Sequence, residues 1–323
     1  MELKVFIIIA CSAVALIVLL LFALAILSDK LAFGSRSDKN PLLKYFTAED
    51  FNLTAQPVSL PKGLNGLLYS KPEIPQRDKL IIFCHGMGPG HIAYTTEIAY
   101  FCNKGFPVLA VDSRGCNLSK GKNLKGMYSG VQTVISAIDF AKSEGYKDIA
   151  LVGHSWGAYS ALCASKKRKV DKVVAISAPI TPATTLAEGA VSMGSLPRPL
   201  VAIVKPLWWM VNLFKYGANG NSNSARSANR NNTPTLLIHG EQDKVVSLKK
   251  SAFNKAKGSN ITKLLATGKA HNPYNTENAE IQLAKLSEML KKNEFANIMQ
   301  FDFKAATEED EEVMHNILNF IES

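Results

Sequence analysis

Seven apolar runs of strand length punctuate this chain, and most are continuous where a half-exposed strand would alternate: GLLYS (Gly66–Ser70), KLIIFC (Lys79–Cys84), PVLAVD (Pro107–Asp112), DIALVG (Asp148–Gly153), KVVAIS (Lys172–Ser177), TLLIHG (Thr235–Gly240) and ITKLLA (Ile261–Ala266). A strand that is apolar on both sides has to be covered on both sides. Helix-length patterns fill the gaps over Ala93–Asn103, Ser129–Ser143, Ala158–Lys166 and Ser247–Lys257. Strand and helix in turn predict an α/β fold, a mostly parallel sheet with helices on both faces. At 323 residues and 47% hydrophobic, the chain has material for such a core.

The rhythm breaks between Pro179 and Asn232, which predicts an insertion. Its middle, RPLVAIVKPLWWMVNLFKYG, is apolar with interleaved cations, and its end, GANGNSNSARSANRNN, reads as a flexible linker. Beyond the last run, 278–293 and 306–323 read as helices, the second opening on the acidic cluster TEEDEE.

From Val5 to Leu27 run 23 residues without a charge, about 35 Å as a helix against about 30 Å of bilayer hydrocarbon. We expect a single-pass membrane anchor. The competing reading is a cleaved signal peptide, with Lys4 as its basic start and Ala23-Leu24-Ala25 as its small-residue site. Lys30, Arg36, Lys39 and Lys44 after the run favour a cytoplasmic domain, whereas a short tail before a large domain is the layout of an exported one. Both sides of the membrane stay open. The five cysteines form no CxxC and read as free thiols. The net charge of +10 fits an anionic membrane surface, and no nucleic-acid module or aromatic-basic interleaving is present.

DIALVGHSWGA then places Ser155 in a G-x-S-x-G between a buried strand and an Ala-rich helix. A serine on that strained turn projects its hydroxyl above the sheet edge, with a helix N-terminus facing any oxyanion that forms. A hydroxyl attacks only when a base takes its proton, and the base needs a carboxylate to hold its tautomer. Asp243, just past the TLLIHG run, and His271, in the loop after the last run, follow in the order serine, acid, histidine. Alone, Asp243 reads equally as a helix cap and His271 as a solvated loop residue. Together they point to nucleophilic acyl transfer.

The chain resembles the α/β-hydrolase superfamily, and within it is similar to the serine aminopeptidase S33 and monoacylglycerol-lipase-like branch, from about Leu60 to the C-terminus. The motifs are HGMG (His85–Gly88), DSRG (Asp112–Gly115), GHSWG, HGEQDKVV and GKAHNPY. The resemblance implies that the backbone N–H groups of Met87 and Trp156 form the oxyanion hole. With the insertion as its cap, the domains expected are an anchor over 1–28 and a linker over 29–50, both read from the chain's own pattern, a hydrolase core over 51–178 and 233–323, and a cap over 179–232. Two departures stand out: DSRG continues as CNLSKG, and about fifty residues follow His271 where relatives carry one helix.

Caps in this fold line the acyl pocket, so Leu207, Trp208, Trp209, Met210 and Phe214 are expected either there or in the cap's own core. Between Lys172 and Gly240 there are six basic residues and one acid, Glu188. A basic, aromatic lid on an anchored enzyme suits lipid headgroups. The expected activity is a serine hydrolase of ester or thioester acyl substrates. Aminopeptidase or acyltransferase activity, or a silent binding scaffold, are the alternatives. No cofactor or metal is expected, since H-E-x-x-H, clustered Cys/His and dinucleotide glycine spacing are missing. Of the other histidines, His154 reads as packed near the elbow, His85 as shaping the oxyanion turn and His239 as a strand end; His91 and His315 have no assignable partner.

Overall fold

The computed structural model describes residues 2–192 and 194–323 of the chain. The apolar runs become β2 (Leu64–Ser70), β3 (Leu80–Cys84), β4 (Val108–Val111), β5 (Ile149–His154), β6 (Lys172–Ile176), β7 (Thr235–Gly240) and β8 (Ile261–Ala266). One further strand, β1 (Thr54–Leu60), precedes them, and the sheet order is β1-β2-β4-β3-β5-β6-β7-β8. Strands β4 to β8 and β3 run parallel, and β2 pairs antiparallel with both β1 and β4. Sequence reading missed β1 because TAQPVSL has no apolar run and carries Pro57, which an edge strand tolerates.

Alternation within each buried strand divides the core between two layers. Leu80, Ile82 and Cys84 face α3 (Tyr128–Ser143) and α4 (Trp156–Ser165), among Val131, Ile138 and Leu162. Ile81 and Phe83 face the other way, onto Ile98 and Phe101 of α2 (Thr95–Cys102) and Ile317 and Ile321 of α11 (Glu311–Glu322). Each such side chain, removed from water, contributes about 1.5–3 kcal/mol.

Between β6 and β7 lie three helices, α5 (Pro182–Ser192), α6 (Arg198–Tyr216) and α7 (Ser224–Asn229). The polar stretch expected as flexible linker is corrected here: Asn223 caps α7 by accepting from the Arg226 N–H at 2.8 Å, and Ala225 and Ala228 are buried against the α4 side of the core. Small residues three apart give even a polar stretch an apolar stripe. The helix expected over Ser247–Lys257 is also cut down, to a 3-10 turn at Leu248–Lys250 and one turn of helix, α8 (Ala252–Lys255), because Ser251 is extended and bridges Pro179. After β8 come α9 (Glu277–Lys292), α10 (Phe295–Met299) and α11, the last capped by Asp310.

The N-terminal run is one helix, α1 (Glu2–Phe33), whose most apolar window has a mean hydropathy of 3.2 and is wholly exposed. It is long and apolar enough to cross a membrane. Its last turns pack on α6: Ala25 is buried there, the Trp208 indole N–H donates to Ser28 Oγ at 2.7 Å, and Lys215 pairs with Asp29. Arg36 then ties the chain to the loop after β4, donating to the carbonyls of Ser119, Asn117 and Gly121 at 2.8–3.0 Å.

Candidate active site

β5 ends at His154 and α4 begins at Trp156, so the whole reversal falls on Ser155, with φ 53° and ψ −116°. A non-glycine residue held there is strained, and the glycines on either side explain how the turn closes. A Cβ on Gly157 would overlap the Cys84 carbonyl oxygen, and one on Gly153 would lie 2.7 Å from the Gly157 carbonyl group. Neighbouring β3 and the first turn of α4 therefore approach the elbow closely on both sides.

Above that edge, His271 Nε2 lies 3.0 Å from Ser155 Oγ, and His271 Nδ1 lies 2.8 Å from Asp243 Oδ2. The three residues expected from the sequence meet in one relay from three separate loops. Asp243 is buried, and its other oxygen, Oδ1, accepts from the Val245 and Val246 N–H groups at 2.8 and 2.9 Å. Burial pushes its carboxyl up. The His271 N–H and facing imidazole, with the Val246 N–H and His239, outweigh that and hold it below the ordinary carboxylate range. A carboxylate fixed in this way keeps the proton on His271 Nδ1 and leaves Nε2 free to accept from the serine.

Met87 follows β3 and is half exposed; among the described residues its backbone N–H has no acceptor. The N–H of Trp156 opens α4, where the helix supplies it no partner, and its indole N–H is anchored on the Met127 carbonyl at 2.7 Å. Neither N–H is used by the fold, as the expected oxyanion hole requires.

Several further groups hold this edge together, Tyr94 and Ser177 among them, with His154 and His85 near the elbow and the turn where the sequence put them. The Gly86 N–H donates to Tyr94 Oη at 3.1 Å, Tyr94 Oη donates to His154 Nδ1 at 2.9 Å, and His154 Nε2 donates to the His271 carbonyl at 3.0 Å. That carbonyl also accepts from Ser177 Oγ at 2.8 Å. Burial, aided by His271, lowers His154 to about 3, so it is neutral and can donate from one nitrogen while accepting at the other. His85 is neutral too, lowered by burial, with Nδ1 on the Gly86 carbonyl at 2.6 Å and Nε2 accepting from the Ser113 N–H at 2.9 Å. His91, for which the sequence offered no partner, has Asp112: the two are fully buried with Nδ1 2.8 Å from Oδ1, which also takes the His91 N–H. Tyr94 and Ser177 carry no local signal that marks them. His154 had one, its place beside the serine.

The α6 residues expected at an acyl pocket separate by face. Trp208 is buried against α1, Leu207 is half-buried, and Trp209, Met210 and Phe214 are exposed. Among the described residues no cluster of three His, Cys, Asp or Glu side chains is placed to hold a metal. Two cavities of about 630 Å³, one lined by Gln76 and Asp148 and one by Phe51 and Glu308, include none of Ser155, Asp243 or His271.

Comparison with known proteins places these features. A family model described as the alpha/beta hydrolase family matches residues 81–257. A Pyrococcus furiosus esterase superposes with a TM-score of 0.58 at 22% identity, covering 80% of this chain and 98% of its own. An alpha/beta hydrolase from Penicillium superposes with a TM-score of 0.51 at 19% identity, covering 74% and 98%. A Caenorhabditis elegans protein, dipeptidyl peptidase family member 6, is 32% identical over 105 residues, 29% of this chain and 14% of that protein.

Proposed function

The chain belongs to the alpha/beta hydrolase family, and on that premise we propose that it is a membrane-anchored serine hydrolase of acyl esters or thioesters. The observation that carries this reading is the Ser155–His271–Asp243 relay, with contacts of 3.0 and 2.8 Å. Ser155 Oγ attacks the acyl carbonyl while its proton passes to His271 Nε2, and Asp243 orients the imidazole and faces the charge it gains. The N–H groups of Met87 and Trp156 receive the oxyanion, with the α4 dipole behind them. Collapse breaks the ester bond, and the leaving alcohol or thiol takes the proton from His271. A water then attacks the acyl-serine through the same histidine, releasing the acid and restoring Ser155.

Retention of α1 as an anchor is supported by its docking. The small-residue stretch Ala23-Leu24-Ala25 lies inside the helix, and Ala25 is buried against the cap helices α5 and α6. Cleavage after Ala25 would strip the cap helices of Leu21, Phe22, Leu24 and Ala25, which pack on them. A second reading, cleavage of an aminoacyl amide by the same three side chains, draws on the partial likeness to the dipeptidyl peptidase family member.

The test is labelling of the full-length protein by a fluorophosphonate probe. Wild type reacts and Ser155→Ala does not; an unreactive wild type overturns the reading. Esters of rising acyl length set against aminoacyl amides separate the two substrate classes, and a preference for amides overturns the ester assignment.

A further inference from the structure

Helix α6 is apolar on more of its surface than its packing uses. Val201, Val204, Trp208 and Val211 face inward onto α5 and the end of α1. On the side away from them, Ile203, Trp209, Met210 and Phe214 are 56%, 48%, 39% and 74% exposed. Ile203, Leu207, Met210 and Phe214 succeed one another at intervals of four, three and four, one stripe along the helix. Apart from the Phe22 ring beside Phe214 and the core on which Leu207 partly packs, nothing among the described residues covers this stripe, and an exposed apolar patch of this kind marks a nonpolar surrounding.

The neighbour of that face says what surrounds it. The ring of Phe214 lies edge-on to that of Phe22 at 6.5 Å, and Phe22 is inside the uncharged run of α1. Phe22 stands five residues before the end of that run at Leu27, about 8 Å along the helix at 1.5 Å per residue. If α1 crosses the bilayer, Phe214 lies at the depth of about 5–10 Å that a helix lying in the interface reaches. The charges agree: α6 carries Arg198 and Lys205, besides the Lys215 that Asp29 neutralises, and no acid, the composition favoured at an anionic headgroup layer.

We propose that α6 is itself immersed in the lipid beside the exit of α1, so that the enzyme takes membrane-resident acyl lipids from the leaflet. This deepens the anchored-hydrolase reading and rests on it. Helix α5, packed on α6, is pinned to the loop that carries Asp243: Glu188 accepts from Ser247 Oγ at 2.9 Å and pairs with Lys250. The depth of α6 therefore sets the height of the relay above the lipid.

The chain has three tryptophans, and Trp156 and Trp208 are buried, so the difference between wild type and Trp209→Phe isolates the emission of Trp209. The full-length protein is placed in phosphatidylcholine vesicles whose acyl chains carry bromine near the headgroup or near the bilayer centre. The proposal expects Trp209 emission to lose more than about half its intensity to shallow bromine, less to deep bromine, and little to aqueous iodide. Quenching by iodide with bromolipid inert overturns it while leaving the anchor and the serine chemistry standing. Protein stripped from the vesicles by alkaline carbonate overturns the anchor and the proposal together. In either case fluorophosphonate labelling reports separately on Ser155.

Discussion

His154 donates its Nε2–H to the backbone carbonyl of His271 at 3.0 Å, so the residue next to the serine holds the loop of the base. The same ring receives Tyr94 Oη, which in turn receives the Gly86 N–H, and Gly86 precedes Met87. One neutral imidazole thus links the turn expected to bind the oxyanion with the loop that carries the proton acceptor. Replacing it by Phe keeps a ring of similar size and removes both hydrogen bonds. Losing about 1–1.5 kcal/mol of positioning lowers kcat about tenfold. KM changes little, because substrate binding is not addressed. His154→Gln restores a donor and recovers part of the rate. Steady-state kinetics on a short-chain ester check the split between kcat and KM; an undiminished kcat in His154→Phe would show that the ring's shape alone matters.

Asp243→Asn tests the carboxylate that fixes the tautomer. The amide can hold the ring in place, but its NH2 facing His271 Nδ1 favours the tautomer with the proton on Nε2, which cannot accept from Ser155. The same replacement in a serine protease costs about 10⁴ in kcat, and a loss of that order is expected here. Probe labelling of Ser155 slows in parallel, while the melting temperature moves far less.

The sheet and the relay were legible for different reasons. Strands β3 to β7 announce themselves because burial on both faces demands unbroken apolar runs, as in LIIFC of β3. The serine and the acid were legible because each follows such a run, and the histidine because it follows the last strand, β8, all at the end where parallel sheets place their ligands. Edge strand β1 was not, since it buries only Val58 and Leu60. Helix α7 was hidden because small residues pack tightly without raising hydrophobicity: Ser224, Ala225, Ser227 and Ala228 are all buried. Tyr94 and His91 act through partners distant in sequence, Tyr94 through His154 and His91 through Asp112, and no local pattern encodes such pairs.

Gly157→Ala should be the most damaging single methyl in the chain. The added Cβ meets the backbone oxygen of Cys84, not a side chain that can turn aside. Either β3 or the start of α4 has to move, and both are fully buried. Overpacking of this kind costs about 1–3 kcal/mol, and rigid backbone neighbours put this case at the upper end. Chemical denaturation gives the stability loss, and probe labelling of the folded fraction reports displacement of Ser155. Gly189→Ala, where a Cβ meets nothing within 4 Å, is the control.

Glu97 and Glu309 make stability fall as pH rises. Glu97 is buried on α2, and Glu309 precedes the cap of α11 with its Oε1 buried and unpartnered among the described residues. Burial raises both carboxyls, and for Glu309 the facing charge of Glu97 adds to it. Glu97 reaches about 7 against an ordinary 4.5. The folded protein therefore holds protons that the unfolded chain has released. By linkage the contribution of Glu97 is complete below pH 4.5 and is lost as pH climbs through 7, by about 3 kcal/mol, while that of Glu309 is lost only as pH climbs on through about 9. Glu97→Gln mimics the protonated acid at every pH. It should raise the melting temperature near pH 8 by several degrees, about what 3 kcal/mol gives a domain of this size, and have little effect near pH 5. Thermal unfolding followed at both pH values decides the matter: a variant whose stability falls with pH as steeply as wild type would mean that Glu97 is already ionised in the fold.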